Sequence, residues 1–343
     1  MPTAPPTLRG ELEDSPDAPA VRPAYGHPDL GRQVICPPRN ADPTAFGRAD
    51  ELVLPMPGTG LVPCPSTPYG PTDCARSLQE HRRLLDQATH PQPPDRLQAP
   101  ADPDRRTRHR WIVGHQVAFG VWRLLADKLQ ALLDGPTPRP RLVHEAARLY
   151  DTYSILLLYA GSCSARRYAA TVRADMAVRD PAFSGQWTRD HAPLLELQRQ
   201  VRRAFPAPSV SPLTRAARLN HHVHMTVAEL LVPDGVSLLQ QTGRDPAQKP
   251  TEAERNLSDD YFRVRRRPLC HDGFAAQIVL RIAQIRCDIA AHGLNHENAN
   301  AAPQPPAIRR LHDEATELLL HLADTASENT GHPIRPSPSP QTL

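Results

Sequence analysis

The stretch LNHHVHMTVAELL, residues 219–231, places His221, His222 and His224 within four positions. Imidazole ligates transition metals and exchanges protons near neutral pH, so such a cluster could hold a metal or move a proton. Side chains three and four positions apart share a helical face. From His224 that face runs through Leu213, Ala216, Ala217 and Asn220 one way and Val227, Ala228 and Leu231 the other. This spacing turns His224 into the core. His222 shares its face with Arg215, Arg218, Thr226 and Glu229 and turns to solvent, while His221 lies between. The small residues beside His224 leave room for something flat to approach the helix. His115 passes the same test, with Trp111, Ile112, Ala118 and Phe119 at three and four positions. Two histidines on the buried faces of two helices predict a pocket at their interface. The bland alternative is a pair of hydrogen-bonded core histidines.

Other chemistries find less support. His221 and His224 could share a bare zinc or iron ion, but H-E-x-x-H is absent and no nearby acid points inward. G-x-S-x-G, G-x-G-x-x-G and P-loop patterns are missing, which removes the usual serine-hydrolase and nucleotide-binding signatures. The turn YAGSCSARRY, with Ser162, Cys163 and Ser164, reads as a break between helices. Arg166, Arg167 and Arg173 follow it, and an arginine fork at the edge of an apolar pocket is the usual holder of a substrate carboxylate. Tyr153, Tyr159 and Tyr168 could add phenol hydrogen bonds. The remaining histidines, His191 among them, read as surface residues in loops or on polar faces.

These side chains need helices to position them. Apolar residues at 111, 118, 119, 122, 125, 129 and 132 follow a 3.6 period, and Asp134-Gly135-Pro136 is a helix stop. Further helices are predicted in PTDCARSLQEHRRLLDQAT, RPRLVHEAARLYDTYSILLLYAGS, SARRYAATVRADMAVRDP, DHAPLLELQRQVRRAF and PLTRAARLNHHVHMTVAELL. VSLLQQ extends the last of these beyond Pro233, and two more helices lie in DGFAAQIVLRIAQIRCDIAAHGL and PPAIRRLHDEATELLLHLADTA. Residues 91–104 and 241–259 read as polar or proline-rich connections, and ELVLPMPG as an extended segment laid on the domain rather than a strand in a sheet. The fold class is all-α, a helical bundle with almost no period-2 alternation. Residues 1–45 form a proline-rich disordered segment, 46–326 the helical domain and 327–343 a disordered tail.

Composition narrows the class further. The 343 residues carry 40 prolines and a net charge of +3, and lysine occurs only at 128 and 249. FRVRRRP, residues 262–268, is the densest basic patch and reads as a solvated loop, so nucleic-acid binding is not expected. Six cysteines form no C-x-x-C, no secretory leader opens the chain, and SILLLYAG is too short to span a bilayer. These observations suggest a cytoplasmic protein with reduced thiols.

The run from Tyr150 to Pro193, YDTYSILLLYAGSCSARRYAATVRADMAVRDPAFSGQWTRDHAP, together with LNHHVHMTVAELL and the upstream WIVGHQ, resembles the haem-dependent L-tyrosine 3-hydroxylases of antibiotic biosynthesis. These are grouped with the histidine-ligated haem-dependent aromatic oxygenases, related to tryptophan 2,3-dioxygenase. The resemblance covers residues 50–325. It implies an all-helical domain with non-covalent haem b between helices and His224 as the proximal iron ligand. A helix misread by one turn would make that ligand His222. His115 would be the distal, catalytic histidine, with Trp111 and Phe119 against the cofactor. Arg166, Arg167 or Arg173, with Tyr159, would meet the substrate. L-tyrosine and hydrogen peroxide would be the small-molecule partners and 3,4-dihydroxyphenylalanine the product. No nucleic acid or membrane is implied, and a homodimer is compatible. A related branch links its haem to a cysteine four residues after the proximal histidine and acts on 3-methyltyrosine. Position 228 here is Ala, and position 226 is Thr should His222 be the ligand, which favours plain tyrosine. The competing readings are a non-catalytic helical small-molecule binder and a non-haem metal enzyme using residues 221–224.

Overall fold

A computed structural model of the chain describes residues 51–64, 73–233, 235–245, 247–294 and 305–328. All of them lie within the unit Val34–Leu343. The proline-rich segment 1–45 and the tail beyond 328 fall outside the described residues.

The chain is all-α, as its periodicity predicts. The longest helix among the described residues is α2, Pro103–Leu133, preceded by α1, Asp73–Gln87. Helix α2 begins earlier than its apolar period suggests. Asp102 accepts a hydrogen bond from the Arg105 backbone N–H at 2.8 Å, and Pro103 takes the first helical position. That cap and the preset proline backbone extend the helix through a segment read from composition as a link. Helix α3, Pro140–Ala160, packs antiparallel-fashion in sequence order on α2 and also carries α7, Ser211–Leu231, on its other side. Helix α6, His191–Ala204, packs on α2. Helix α10, His271–His292, is buried on almost every face and sits among α1, α2 and α12, Ala315–Ser327. The last predicted helix is in fact two, α11, Pro306–Asp313, and α12, with Glu314 between them.

Between α3 and α6 the chain forms α4, Ala165–Tyr168, a π turn, Ala169–Arg173, and α5, Ala174–Arg179. The short α8, Leu238–Gln241, follows α7. Residues 252–261 form α9, Glu252–Tyr261, not a continuous loop. Its capping box explains this: Thr251 caps Glu254 N–H while the Glu254 carboxylate returns to Thr251 N–H at 2.7 Å.

Two more expectations are corrected at the extended segments. Leu52–Leu54 is a strand, β1, paired in parallel with β2, Val264–Arg266. The basic patch 262–268 is therefore strand in part rather than loop: Arg263, Arg265 and Arg267 are exposed as expected, but Arg266 is not. Arg266 is 9% exposed on its side chain and binds Asp190 and Asp259, with closest contacts of 2.7 and 2.6 Å. Burying a guanidinium is tolerable only with such paired carboxylates. Composition showed the charge but not its partners, Asp259 seven residues back in α9 and Asp190 far away at the head of α6.

Helices α3 and α7 meet tightly where α3 ends. A Cβ at Gly161 would come within 2.4 Å of Val227 Cγ1, so only glycine permits this approach. The close crossing fixes where the next turn of α7 can project its side chains.

Candidate functional site

His115 sits in the middle of α2 with its ring pinned on several sides. Phe262 stacks on it at 4.7 Å with the planes 21° apart, and Trp111 packs against it at 4.2 Å. Its Nδ1 lies 2.7 Å from the Trp111 carbonyl oxygen, so that nitrogen carries the proton and donates, leaving Nε2 as an acceptor. Burial lowers the His115 pKa to about 4, with a smaller contribution from the charge of His224 and partial opposition from the backbone hydrogen bond. The ring is neutral at physiological pH. Phe262 is held in turn by the Gln116 side chain, which donates to its carbonyl at 2.8 Å, and Arg281 anchors Gln116 at 2.7 Å. Arg263, at φ 56°, makes the left-handed turn that follows Phe262 and leads into β2.

His224 does not enter the core. The buried stripe of α7 runs Leu213, Ala216, Asn220, Val223, Val227 and Leu231. At 3.6 residues per turn the stripe drifts, and Val223 takes the core position that spacing alone assigned to His224. His224 stands beside the stripe at an exposed position and borders cavities lined by other parts of the chain. Its pKa is lowered, first by burial and then by the neighbouring His221. His222 is exposed and lines none of the cavities described below, whereas His221 lines one of them.

His191 was read as a surface residue, and the structure places it at the site. It opens α6 immediately after Asp190, whose carboxylate receives Arg266 at 2.7 Å. That buried pair anchors the start of α6 and hence the histidine. The His191 ring packs on Trp122 at 4.9 Å, and burial lowers its pKa to about 4, with His224 adding to the shift. A face test on α6 could have found it, because His191, Leu194, Gln198 and Val201 share one side and the last three are buried.

Three cavities of about 440, 350 and 450 Å³ meet at His224, which lines all of them. The first is shared by His115, His191 and His224, with Ala118, Trp122, Tyr153 and Leu156 as its walls. The second is shared by His115 and His224 and holds Trp111, Tyr168, Arg173, Met176 and Phe183. The third carries His191, His221, Arg202 and Arg218 among its polar lining. The first two also share Leu157, Ala160, Ser184, Gly185 and Phe262, so they are continuous.

Among the arginines marked in the sequence, only Arg173 reaches a cavity; its Nη2 donates to the Val236 carbonyl at 2.8 Å. Arg166 is exposed and Arg167 is bound to Asp104 at 2.6 Å. Arg173 closes the π turn Ala169–Arg173, whose extra residue rotates the following side chains relative to a regular helix. Sequence spacing assumes an uninterrupted α-helix and therefore cannot separate the three.

Tyr159 does not reach the cavities either. It is fully buried, and its hydroxyl donates to Asp288 Oδ2 at 3.0 Å. Phe119 is buried behind His115 and braces Phe262 at 5.3 Å without lining a cavity. Trp111 does line the second cavity, and its indole Nε1 is buried without a protein partner. Of the tyrosines marked as phenol donors, Tyr153 and Tyr168 line cavities, and Trp122, Phe183 and Phe262 form walls that the sequence did not single out.

Fold and site together define an all-α protein built around a cavity lined by neutral histidines. Residues 70–221 match the family model described as SfmD 3-methyl-L-tyrosine peroxygenase, a peroxygenase of a tyrosine derivative. The matched stretch contains His115, Arg173 and His191 and ends before His224. No curated protein matches the chain. No helix among the described residues is long and apolar enough to cross a membrane.

Proposed function

We propose that the protein is a haem-dependent hydroxylase that uses hydrogen peroxide to place oxygen on the ring of L-tyrosine, beside the phenol. The observation that carries this reading is the convergence of His115, His191 and His224 on one largely apolar cavity with Arg173 in its continuation. The resemblance to tyrosine 3-hydroxylases and the peroxygenase family match support it.

The residues present fit a haem. Neutral imidazoles in an apolar enclosure are good ligands for haem iron, and His224 is the candidate ligand. The adjoining third cavity supplies Arg202 and Arg218, suited to the two carboxylates of the macrocycle. The buried, unpartnered Trp111 Nε1 is a donor in want of an acceptor at the second cavity. Ala228 lines that cavity, and no described cysteine lines any of the three, which supports non-covalent binding. Bound haem would supply peroxide activation and oxygen transfer to the ring.

The chain's own residues supply the rest. His115 is neutral with Nε2 available, so it can accept a hydrogen bond or proton from the phenol or from peroxide. The rings of Trp111, Tyr168, Phe183 and Phe262 offer apolar surface to an aromatic substrate. Arg173 is placed to take the amino-acid carboxylate by exchanging its bond to the Val236 carbonyl for a charged partner. Residues of α8 and the 183–188 segment form further walls of the two cavities.

A second reading has specific support: the matched family is described by its action on 3-methyl-L-tyrosine. Parallel assays on L-tyrosine and 3-methyl-L-tyrosine decide between them, with 3,4-dihydroxyphenylalanine as the expected product from the first. Expression with a haem precursor should yield a red protein with a Soret band. His224→Ala should lose or loosen the haem, and His115→Ala should keep it and lose hydroxylation. A protein that stays colourless after haem reconstitution would sink the proposal in favour of a non-catalytic binder. A bare metal ion at residues 221–224 has less support. Among the described residues these histidines join no group of three or more metal-type donors.

A further inference from the structure

Three cysteines that line none of the histidine cavities converge on one another. The sulfurs of Cys64, Cys74 and Cys270 all lie within 4.8 Å of one another. They come from three separate pieces of chain: the extended segment after β1, the first turn of α1, and the N-cap of α10. Cys74 and Cys270 are completely buried and Cys64 stands half-buried at the rim. From these positions we propose a structural zinc site with Cys64, Cys74 and Cys270 as thiolate ligands.

The geometry suits the ion. Tetrahedral zinc with sulfur at about 2.3 Å holds its thiolates roughly 3.8 Å apart, within the spread observed. A disulfide would use two of the three sulfurs and strand the third, whereas one zinc ion engages them all. Thiolates are favoured by amide donors, and the head of α10 provides one. Cys270 Sγ accepts the Gly273 backbone N–H at 3.3 Å at the head of the 22-residue α10. Cys74 occupies the second position of the 15-residue α1. Amides pointing at sulfur favour the thiolate. A Cβ at Gly273 would sit 3.3 Å from Cys270 Sγ and 3.5 Å from Cys74 Sγ, so glycine keeps the space beside the sulfurs open.

The neighbouring backbone brings Cys64 to the cluster. Val62 bridges to Cys270, with Val62 N–H donating to Leu269 at 3.1 Å and His271 N–H to Val62 at 3.0 Å. The metal would thus clamp the segment 51–64 to α1 and α10 at one end, while the β1–β2 pairing holds it at the other. Metal binding of this kind adds directly to folding stability.

The test is metal analysis of the full-length protein purified under reducing conditions, followed by zinc-edge X-ray absorption, which haem iron does not obscure. The expected result is one zinc per chain, a shell of at least three sulfurs at ~2.3 Å, and stoichiometric zinc release by a mercurial thiol reagent. Cys64→Ser, at the half-buried rim, should fold and hold zinc at least tenfold more weakly against a chelator. Cys287→Ala, elsewhere in α10, should retain it. Protein that takes up no zinc on incubation, zinc with only nitrogen and oxygen neighbours, or a disulfide within the triad would overturn the proposal.

Discussion

Asp288 should be one of the most consequential single positions for stability. Its side chain is 0% exposed, and it receives Arg110 through two bonds, Nε at 2.7 Å and Nη2 at 3.0 Å. Tyr159 adds a third at 3.0 Å, and Arg110 also reaches the carbonyls of Ser162 and Gly293 at 3.3 and 3.1 Å. The network therefore ties α2, the end of α3 and both ends of the last turns of α10 together. Burial disfavours the charge on Arg110, yet the hydrogen bond and charge of Asp288 win and raise its pKa. Asp288→Asn leaves the guanidinium buried without a countercharge, which costs about 3–5 kcal/mol. Tyr159→Phe removes one donor to the charged carboxylate and should cost less, about 1.5–3 kcal/mol. Arg110→Met combined with Asp288→Leu removes both charges and should recover most of the loss. The assay is reversible urea denaturation followed by far-ultraviolet circular dichroism at fixed cofactor loading. A loss under about 0.5 kcal/mol in Asp288→Asn, well below the cost of an orphaned buried charge, would refute the reasoning. So would a Tyr159→Phe variant with unchanged stability and a raised KM, because that tyrosine would then be acting on substrate.

Arg173→Ala should raise KM for the amino acid several-fold while leaving the Soret spectrum unchanged, and Arg173→Lys should not restore it because the planar fork is lost. Steady-state kinetics with spectra of the same preparations check this. Gly161→Ala forces a methyl to within 2.4 Å of Val227 Cγ1 and should cost about 1–3 kcal/mol. Val227→Ala in the same chain should return part of that loss in thermal melts. Acid should weaken the cofactor-free fold through His115 and His191, whose pKa values lie at about 4. Above the unfolded value of about 6.5 both states are neutral and neither histidine contributes. Between that value and about 4 the unfolded chain binds protons that the folded chain refuses, so stability falls with pH by up to ~1.4 kcal/mol per unit per histidine. His191→Phe should flatten this slope in denaturation curves from pH 7 to 5, and an unchanged slope would exclude His191 as a source.

The helices were legible because their determinants are local. A 3.6-residue apolar period with a glycine-proline stop predicts α2, and apolar runs predict α3 and α7, without any neighbour, though the proline start of α2 reads as a link. Helix α9 was missed although its capping box is written in TEAE, residues 251–254, because the polar composition of 241–259 outweighed a two-residue signal. The candidate histidines were found the same way. The face test marks His115 and His224, and both line the cavity, although His224 stands beside the buried stripe of α7 and not in the core as spacing implies.

What the sequence alone determined is therefore the all-α class, the presence of most helices and two histidines that border a common space. Tertiary structure decided the rest, because it depends on which distant side chains meet. It drew His191 inward through Asp190 and Arg266, chose Arg173 over Arg166 and Arg167 through a π turn, and took Tyr159 away from the site into a charge network. It also turned one arginine of a basic patch, Arg266, into a buried clamp and brought three cysteines from separate segments within reach of one ion. Local spacing fixes the direction of a side chain on its own helix, but its partner is set by how the helices cross.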